Sequence, residues 1–599
     1  MEADTKKAQK NRFIERKQAN AGKREYVVKT SLAGKIKEPF LRGEIDKWVL
    51  TVSKITNKGS LVLNRTLIHC LSKGIELPDL TSQTFYYNCV TIGINKRKFK
   101  DVNKALEETW NTVFNDLPKI ERNIGDTQAV LYASKTYATN FKNSLVYNFD
   151  SRQKKFLRQK IIELGLDREA IHPIRCAING FGCRKEVPEK AKEFVAEQRK
   201  FLGAPEKGIT FTWLGTHMDT VVKYYWDILK YMEQYEDTKR FNIAPISRIK
   251  RHFLTIDTEV LYCLMSNVSL IDKKVKRDDF SALKDEHFGS VFNLKGLTNG
   301  VFSHMIETDG VSVCIHFKKP KFESKAGKRN MSRAERVIGI DPGRTNLIYG
   351  VEKLEDGSVK NYKLTRNQYY NSCGMKVSKK KADKWMGDIK DEELIFSRTN
   401  TKTTSPEQWD AHLKDYISVY DALWEGKTGK KWGQSRFRVY RLKRKTLDNF
   451  FQTMNGKVKP VIAFGAAKFN PNGKSELSAP TTELSRTCSK HFPVEMVDEF
   501  LTSQVCPCCD TKLSPVFKYD ENGQYCQVRG LRRCCSSVCS GVSYKNRDQV
   551  GALNIMRCFQ AGAHRPNSLS RNLCSSTKPS HFVLGRQGKV QMTVVAKPL

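Results

Sequence analysis

The sequence predicts a multidomain α+β protein whose carboxy-terminal half is an α/β sheet domain carrying a thiolate-rich insertion. Three observations predict it. At 599 residues the chain is too long for a single core, and length alone suggests roughly four domains. Segments of strand-like alternation bracket a long stretch of helical periodicity and then return after it. Two short cysteine-crowded segments, TSQVCPCCDTKL and RRCCSSVCSG, lead into YKNRDQVGALNI, where an Asp stands at the start of an apolar-striped helix.

The elements follow in order. REYVVKTSL and the stretch Trp48 to Leu63 alternate apolar and polar residues and are expected as strands. From about Asp101 to Ser269 apolar spacings of three and four predict helices, as in SRQKKFLRQKIIELG and WDILKYMEQYEDTKR. Basic and aromatic residues mix through this region, which suits either a groove for phosphates and bases or a solvated helical face over an aromatic core. Strand character returns from Phe292 to Phe317, and a Lys-, Gly- and Ser-rich linker covers Lys318 to Ser332. RVIGID, NLIYGVEKL and SVKNYKLT then read as three strands, and Asn371 to Met454 as a charged helical stretch. Within that stretch Phe437, Tyr440, Leu447 and Phe451 form one apolar stripe. KPVIAF and PVEMVDEF are two more strands. This βββ-α-β-β order, closed by the helix after Asp548, fits an RNase H-like sheet flanked by helices.

Composition points to a polyanionic partner. Lys and Arg number 104 against 64 acidic residues, a net charge of +40 that opposes compaction unless something neutralises it. Nucleic acid is the expected partner, since phosphate contacts dominate its binding. No apolar run approaches a membrane span and the first residues carry no secretory h-region, so neither membrane nor standard secretion is expected. The 17 cysteines then read as reduced thiols and metal ligands rather than disulfides. The Lys/Arg-rich first 24 residues fit a nuclear address or a solvated basic arm. The tail beyond Gln560 is expected to be mobile, and no Asp or Glu follows Asp548.

Cys506 and Cys509 at C-x2-C spacing, with Cys534 and Cys539 at C-x4-C, predict two knuckles around one tetrahedral Zn²⁺, joined by a hairpin over YDENGQYCQVRG. Cys535 is an alternative to Cys534, and Cys508 and Cys526 are surplus. HPIRCAINGFGC holds His172, Cys176 and Cys183 at a spacing of no common zinc site, and reads as buried reduced thiols. NGKS at Asn472 to Ser475 fails as a phosphate loop because Lys468 stands where that motif needs Gly.

Two carboxylates complete the pattern. Asp341 ends an apolar strand before Pro-Gly, and Asp548 opens the last helix. Each alone is ordinary, as a turn residue or an N-cap. Together they suggest phosphodiester hydrolysis, in which carboxylates hold two metal ions about 4 Å apart.

IGIDPGRTN, TSQVCPCC and NRDQVGALNI resemble the RuvC domain of the TnpB and Fanzor group of transposon-associated, RNA-guided nucleases, relatives of the type V CRISPR effectors. ETDGVSVCIHF and VDEFLTSQVC look closer to Fanzor, the eukaryotic and viral branch. The specific similarity covers Val337 to Ile555. Between the basic arm over 1–24 and the basic tail over 563–599 that composition marks, it implies a β-barrel-like wedge domain over 25–65 and 276–330 interrupted by a helical recognition region over 66–275, a RuvC domain over 331–505 and 545–562, and a zinc ribbon over 506–544. It also implies a guide RNA, double-stranded target DNA beside a short motif, catalytic Mg²⁺, structural Zn²⁺, no small-molecule substrate, and a nuclear location in a eukaryotic host or otherwise a cytoplasmic one. The chain departs from the TnpB pattern where a middle catalytic Glu should follow KPVIAF: Gly465 and alanines stand there, with no acid between Asp448 and Glu476. PVEMVDEFLTS offers Glu495, Asp498 and Glu499, with Glu495 and Glu499 on one strand face. Glu499, nearest the strand end and in the DEF context of Fanzor-like proteins, is the expected replacement. The implied triad is Asp341, Glu499 and Asp548, holding Mg²⁺. Arg547 fits a scissile-strand contact or a structural ion pair. The rival readings are a guided DNA-binding protein without cleavage and a guide-independent RNase H-like nuclease.

Overall fold

The computed structural model describes residues 23–92, 103–114, 127–272, 274–298, 300–320, 334–467, 469, 478–519, 525–539, 541–562 and 564–570. The expectations for most of the basic arm, for the linker from 321 on, for Asn472–Ser475 and for the tail beyond 570 fall outside these residues. The chain divides into two compact units, Met1–Phe322 with Ser378–Phe437, and Glu323–Val377 with Arg438–Leu599.

In the first unit, β1 (Lys23–Ser31) pairs antiparallel with a strand that arrives only after the whole helical region. The sheet comprises β1, β2 (Leu254–Ile256), β3 (Val301–Thr308) and β4 (Ser312–Pro320) in the order β1-β4-β3-β2. Tyr26 sits opposite Phe317 and stacks on it, ring centroids 5.7 Å apart. The helical region is thus inserted within one sheet, although the described strands form an open four-stranded sheet rather than a closed barrel.

The expected strand over Trp48 to Leu63 is a helix, α1 (Pro39–Lys73), and the correction has a physical cause. Pro39 starts the helix at a position that needs no N–H, and Gly74 ends it with φ 66°. From Ile55 to Cys70 every residue is buried, so no polar face imposes a 3.6-residue period there, and the β-branched Ile55, Thr56 and Val62 add strand propensity. Its buried hydroxyls are satisfied within the helix, Ser53 donating to the Val49 carbonyl at 2.6 Å and Thr56 to that of Val52 at 2.7 Å.

α2 (Thr127–Glu163) packs against α1, and α3 (Ile171–Ile178) and α4 (Met218–Met232) pack in turn on α2, around Phe141, Leu145, Tyr224 and Tyr225. Trp409, Leu413, Tyr416 and Tyr420 join the same core, each ring contributing roughly 1.5–3 kcal/mol by burial. Arg65 on α1 grips Asp410 with two hydrogen bonds of 2.7 and 3.1 Å. These contacts explain why Ser378–Phe437 belongs to this unit although it lies within the 331–505 span.

The second unit is built on β5 (Val337–Asp341), β6 (Asn346–Lys353), β7 (Val359–Thr365), β8 (Val461–Gly465) and β9 (Val494–Val497), in the order β7-β6-β5-β8-β9. β6 runs antiparallel to β5 and β7, whereas β5, β8 and β9 are parallel. The expected strand pattern holds, with β9 ending earlier than PVEMVDEF suggested. α5 (Lys430–Gln452) enters this unit with Leu447 and Phe451 buried beside Ile338, Ile340, Ile462 and Phe464, and α6 (Thr481–His491) adds Leu484 and Cys488. Between β9 and the last helix lies a three-stranded antiparallel sheet, β10 (Ser514–Tyr519), β11 (Tyr525–Cys534) and β12 (Ser543–Asn546). β10 and β11 are the arms of the expected hairpin, whose tip lies outside the described residues. The chain closes with α7 (Arg547–Ala561), packed on β5 and β6. Gly339 permits that packing, because a Cβ there would lie 2.8 Å from the Cβ of Met556.

Candidate functional site

Three parallel strands end together. Ile340 pairs with Phe464 and Gly465 with Val497, so Asp341, Gly465 and the residues just after Val497 meet at one carboxyl edge of the sheet. In open α/β sheets such an edge is where ligands bind.

Asp341 is half-buried there, and two features surround it. Gly551 on α7 faces it with no side chain: a Cβ there would stand 2.5 Å from Asp341 Oδ2. Burial raises the Asp341 carboxyl well above the usual carboxylate range, and the charges of Glu499 and Asp548 raise it further, against a smaller opposing pull from Arg547. The Asp341 carboxyl feels both other charges, although oxygens of the three carboxylates do not all lie within 4.8 Å of one another.

Asp548 is not the N-cap of its helix. Asn546 caps α7, its side-chain oxygen accepting from the N–H groups of Asp548 and Gln549 at 3.0 and 3.2 Å. The Asp548 carboxylate is thereby left for other work, and its Oδ2 accepts from Asn346 Nδ2 at 2.6 Å.

Glu499 lies two residues past the end of β9, so strand alternation does not govern it as expected. Glu495 is exposed on the strand, whereas Glu499 is half-buried. Its Oε1 accepts the Ala467 N–H at 2.9 Å. A Cβ on Gly465 would lie 2.7 Å from Glu499 Cδ and 2.8 Å from Pro342 Cδ. The absence of a side chain at Gly465 is therefore what admits this carboxylate. Burial pushes the Glu499 carboxyl up to about 7, with the Ala467 hydrogen bond opposing the rise and Asp498 adding to it. Arg547 Nε is buried and has no hydrogen-bond partner among the described residues, and no ion pair of Arg547 is found among them.

The four predicted cysteines converge. One sulfur each from Cys506, Cys509, Cys534 and Cys539 lies within 4.8 Å of every other, with Cys506–Cys539 at 3.7 Å and Cys509–Cys534 at 3.6 Å. Cys534 is buried within the cluster, whereas Cys535 is exposed and outside it. Cys508 is also exposed. In the first knuckle Asp510 adopts φ 57° and its N–H reaches the Cys506 carbonyl at 3.1 Å. Such a set of thiols can hold zinc.

The start of this insertion is tied to α7, and its end, β12, runs directly into that helix. Asn554 donates to the carbonyls of Thr502 and Val505, each at 2.8 Å, just beyond Glu499 and just before Cys506. Arg557 reaches Asp510 with two contacts of 3.1 Å. The roles of Gly551, Asn346 and Asn546 were not read from sequence. Only NxD before the helix carried a local signal, since an Asn two residues ahead of Asp548 is itself a preferred cap.

His172, Cys176 and Cys183 also come together, and Cys183 is exposed rather than buried as expected.

A family model described as a domain of unknown function, DUF8286, matches residues 254–319, the part of the chain that carries β2 to β4. No curated protein matches the chain. Among solved structures, a cryo-EM structure of a Cas12f1–sgRNA–target DNA complex is similar over 89% of this chain and 99% of that one, at 11% identity and a TM-score of 0.24. At that score the likeness carries no argument about this chain. No described helix is long and apolar enough to cross a membrane.

Proposed function

We propose that this chain is an RNA-guided DNA endonuclease of the TnpB and Fanzor kind, with an RNase H-like RuvC centre formed by Asp341, Glu499 and Asp548. The observation that carries the reading is the arrangement of Gly465 and Glu499. The position at which the resemblance expects a middle Glu holds no side chain, and a carboxylate from the next strand's end occupies that space. The strand order, with its second strand antiparallel and three parallel strands ending at the triad, supports the RNase H-like assignment.

The donor set fits divalent cations. Three carboxylates in one field, two of them pushed upward, are an arrangement that a hard cation relieves. Asp341, Glu499 and Asp548 would hold Mg²⁺, which supplies Lewis acidity and a more acidic bound water. The chain's own residues do the positioning: Asn346 orients Asp548, the Ala467 N–H orients Glu499, and Gly551 gives Asp341 its room. Arg547, with an unpartnered buried Nε beside Asp341, is suited to a phosphate oxygen of the scissile strand. Cys506, Cys509, Cys534 and Cys539 would hold structural Zn²⁺ and so anchor the segments carrying Glu499 and Asp548.

A guide RNA and double-stranded DNA are the proposed partners, supported by the net charge of +40 and by the motif resemblance. The domain roles, a wedge sheet interrupted by a recognition region and followed by RuvC with its ribbon, and the location, nuclear in a eukaryotic host, belong to the same proposal. The test is to sequence the RNA that copurifies with the protein and assay that complex on a plasmid library with Mg²⁺. One defined noncoding RNA and site-dependent cutting are expected. Bulk RNA with guide-independent cutting would replace this reading with an unguided RNase H-like nuclease, and guided binding without cutting would replace it with a binding protein.

A further inference from the structure

His172 and Cys176 stand four residues apart on α3, one turn of the same helical face. The helix then ends in a reversal. Gly180 adopts φ 73°, the Phe181 N–H reaches the Cys176 carbonyl at 2.8 Å, and the Gly180 N–H that of Ala177 at 3.2 Å. The turn is fixed from below by a reciprocal pair of buried amides, Gln153 to Asn179 at 3.0 Å and Asn179 to Gln153 at 2.8 Å. A further bond joins the Ile209 N–H to the Asn179 carbonyl at 2.8 Å. The reversal returns the chain so that Cys183 meets the helix face. One donor atom each from His172, Cys176 and Cys183 then lies within 4.8 Å of the other two.

The distances suit coordination. Zinc bonds of about 2.3 Å to sulfur and about 2.0–2.1 Å to nitrogen place tetrahedral ligands roughly 3.3–3.8 Å apart. Cys176 Sγ lies 3.7 Å from His172 Nδ1 and 3.9 Å from Nε2. Arg175 approaches Nδ1 at 3.4 Å, and since a guanidinium only donates, an ion bound at Nδ1 would take the place of that contact. Arg175 is held independently by Asp150, so the imidazole is not its sole partner. Cys176 is buried while His172 and Cys183 are exposed, which leaves the open side of the triangle toward solvent.

We infer that His172, Cys176 and Cys183 form a second zinc site in the first unit, with a fourth position open to water. The N, S, S donor set selects a borderline-soft ion over magnesium or calcium. A bound ion would pin the Gly180 reversal onto α3. A thiol pair alone would leave the placement of His172 unexplained.

The test is zinc content per chain, by elemental analysis of the full protein purified with ZnSO₄ and then desalted. Cys183→Ser and His172→Ala alter exposed side chains, so circular dichroism should show an unchanged fold. Each is expected to bind one zinc fewer than the parent, independently of how much the other cysteine cluster holds. Identical zinc content in parent and both variants would overturn the site. A Cys176–Cys183 disulfide in non-reducing peptide mapping of the zinc-treated protein would overturn it in favour of a redox pair.

Discussion

Gly465 and Glu499 share one volume: the Glu499 carboxylate carbon lies 2.7 Å from where a Gly465 Cβ would begin. No real Cβ tolerates that approach to a neighbour held by its own hydrogen bond, so even the smallest side chain must displace the carboxylate. Gly465→Ala is expected to lower single-turnover cleavage roughly 10- to 100-fold, or about 1.4–2.8 kcal/mol, with binding of guide and target unchanged. Gel-shift and cleavage assays on the same preparation separate the two effects.

The relation can also be run backwards. If the carboxylate matters and not its point of attachment, Gly465→Glu combined with Glu499→Gly moves the acid back to the β8 end. Such a double variant should cut better than Glu499→Gly alone, measured as initial rate at saturating Mg²⁺.

Gly551 offers a case in which stability and activity part company. Gly551→Ala gains about 1 kcal/mol of helix propensity within α7. It also sets a Cβ 2.5 Å from Asp341 Oδ2. The melting temperature should hold while cleavage falls by at least tenfold. A simple packing defect would lower both.

The raised carboxyls predict how pH and metal act on stability. Burial holds Glu499 at about 7 and Asp341 well above the usual range, each above its unfolded value. Stability from these groups is therefore complete below the unfolded pKa, near 4, and is lost as pH rises through the folded one. In metal-free protein, Glu499→Gln should melt higher than the parent at pH 8, by up to about 3 kcal/mol, and equally at pH 4.5. Adding Mg²⁺ should stabilise the parent more than the variant and abolish the difference. Thermal melts at the two pH values with and without Mg²⁺ read this directly.

The thiolate cluster distinguishes neighbouring cysteines. Cys534→Ser should lose the ribbon zinc and melt several degrees lower, whereas Cys535→Ser should retain both zinc and stability, since only Cys534 lies in the cluster. Metal analysis and calorimetry check it.

Much of this was legible in the sequence because it is local. Knuckle spacing placed the four cysteines, and alternation placed β5 to β8. Asp341 and Asp548 were visible from their positions beside a strand end and a helix start. The failures share a different cause, dependence on contacts between distant segments. α1 lost its helical period where it is buried all round, from Ile55 to Cys70, so Trp48 to Leu63 looked like a strand. The face of Glu499 could not come from alternation, because β9 stops at Val497. The space that Gly465 and Gly551 leave for carboxylates has no local signature, nor does the return of Cys183 to α3. Asp548 as a cap was a reasonable local reading, overtaken by an equally local competitor, Asn546.

The most direct measurement is cleavage by the guide-loaded protein carrying Glu499→Ala, set beside Glu495→Ala. Glu499→Ala should cut at least 100-fold more slowly than the parent while still binding guided target DNA, and Glu495→Ala should stay within about twofold. Parental cleavage by Glu499→Ala would contradict the triad, and loss of cleavage in Glu495→Ala alone would move the middle carboxylate to Glu495.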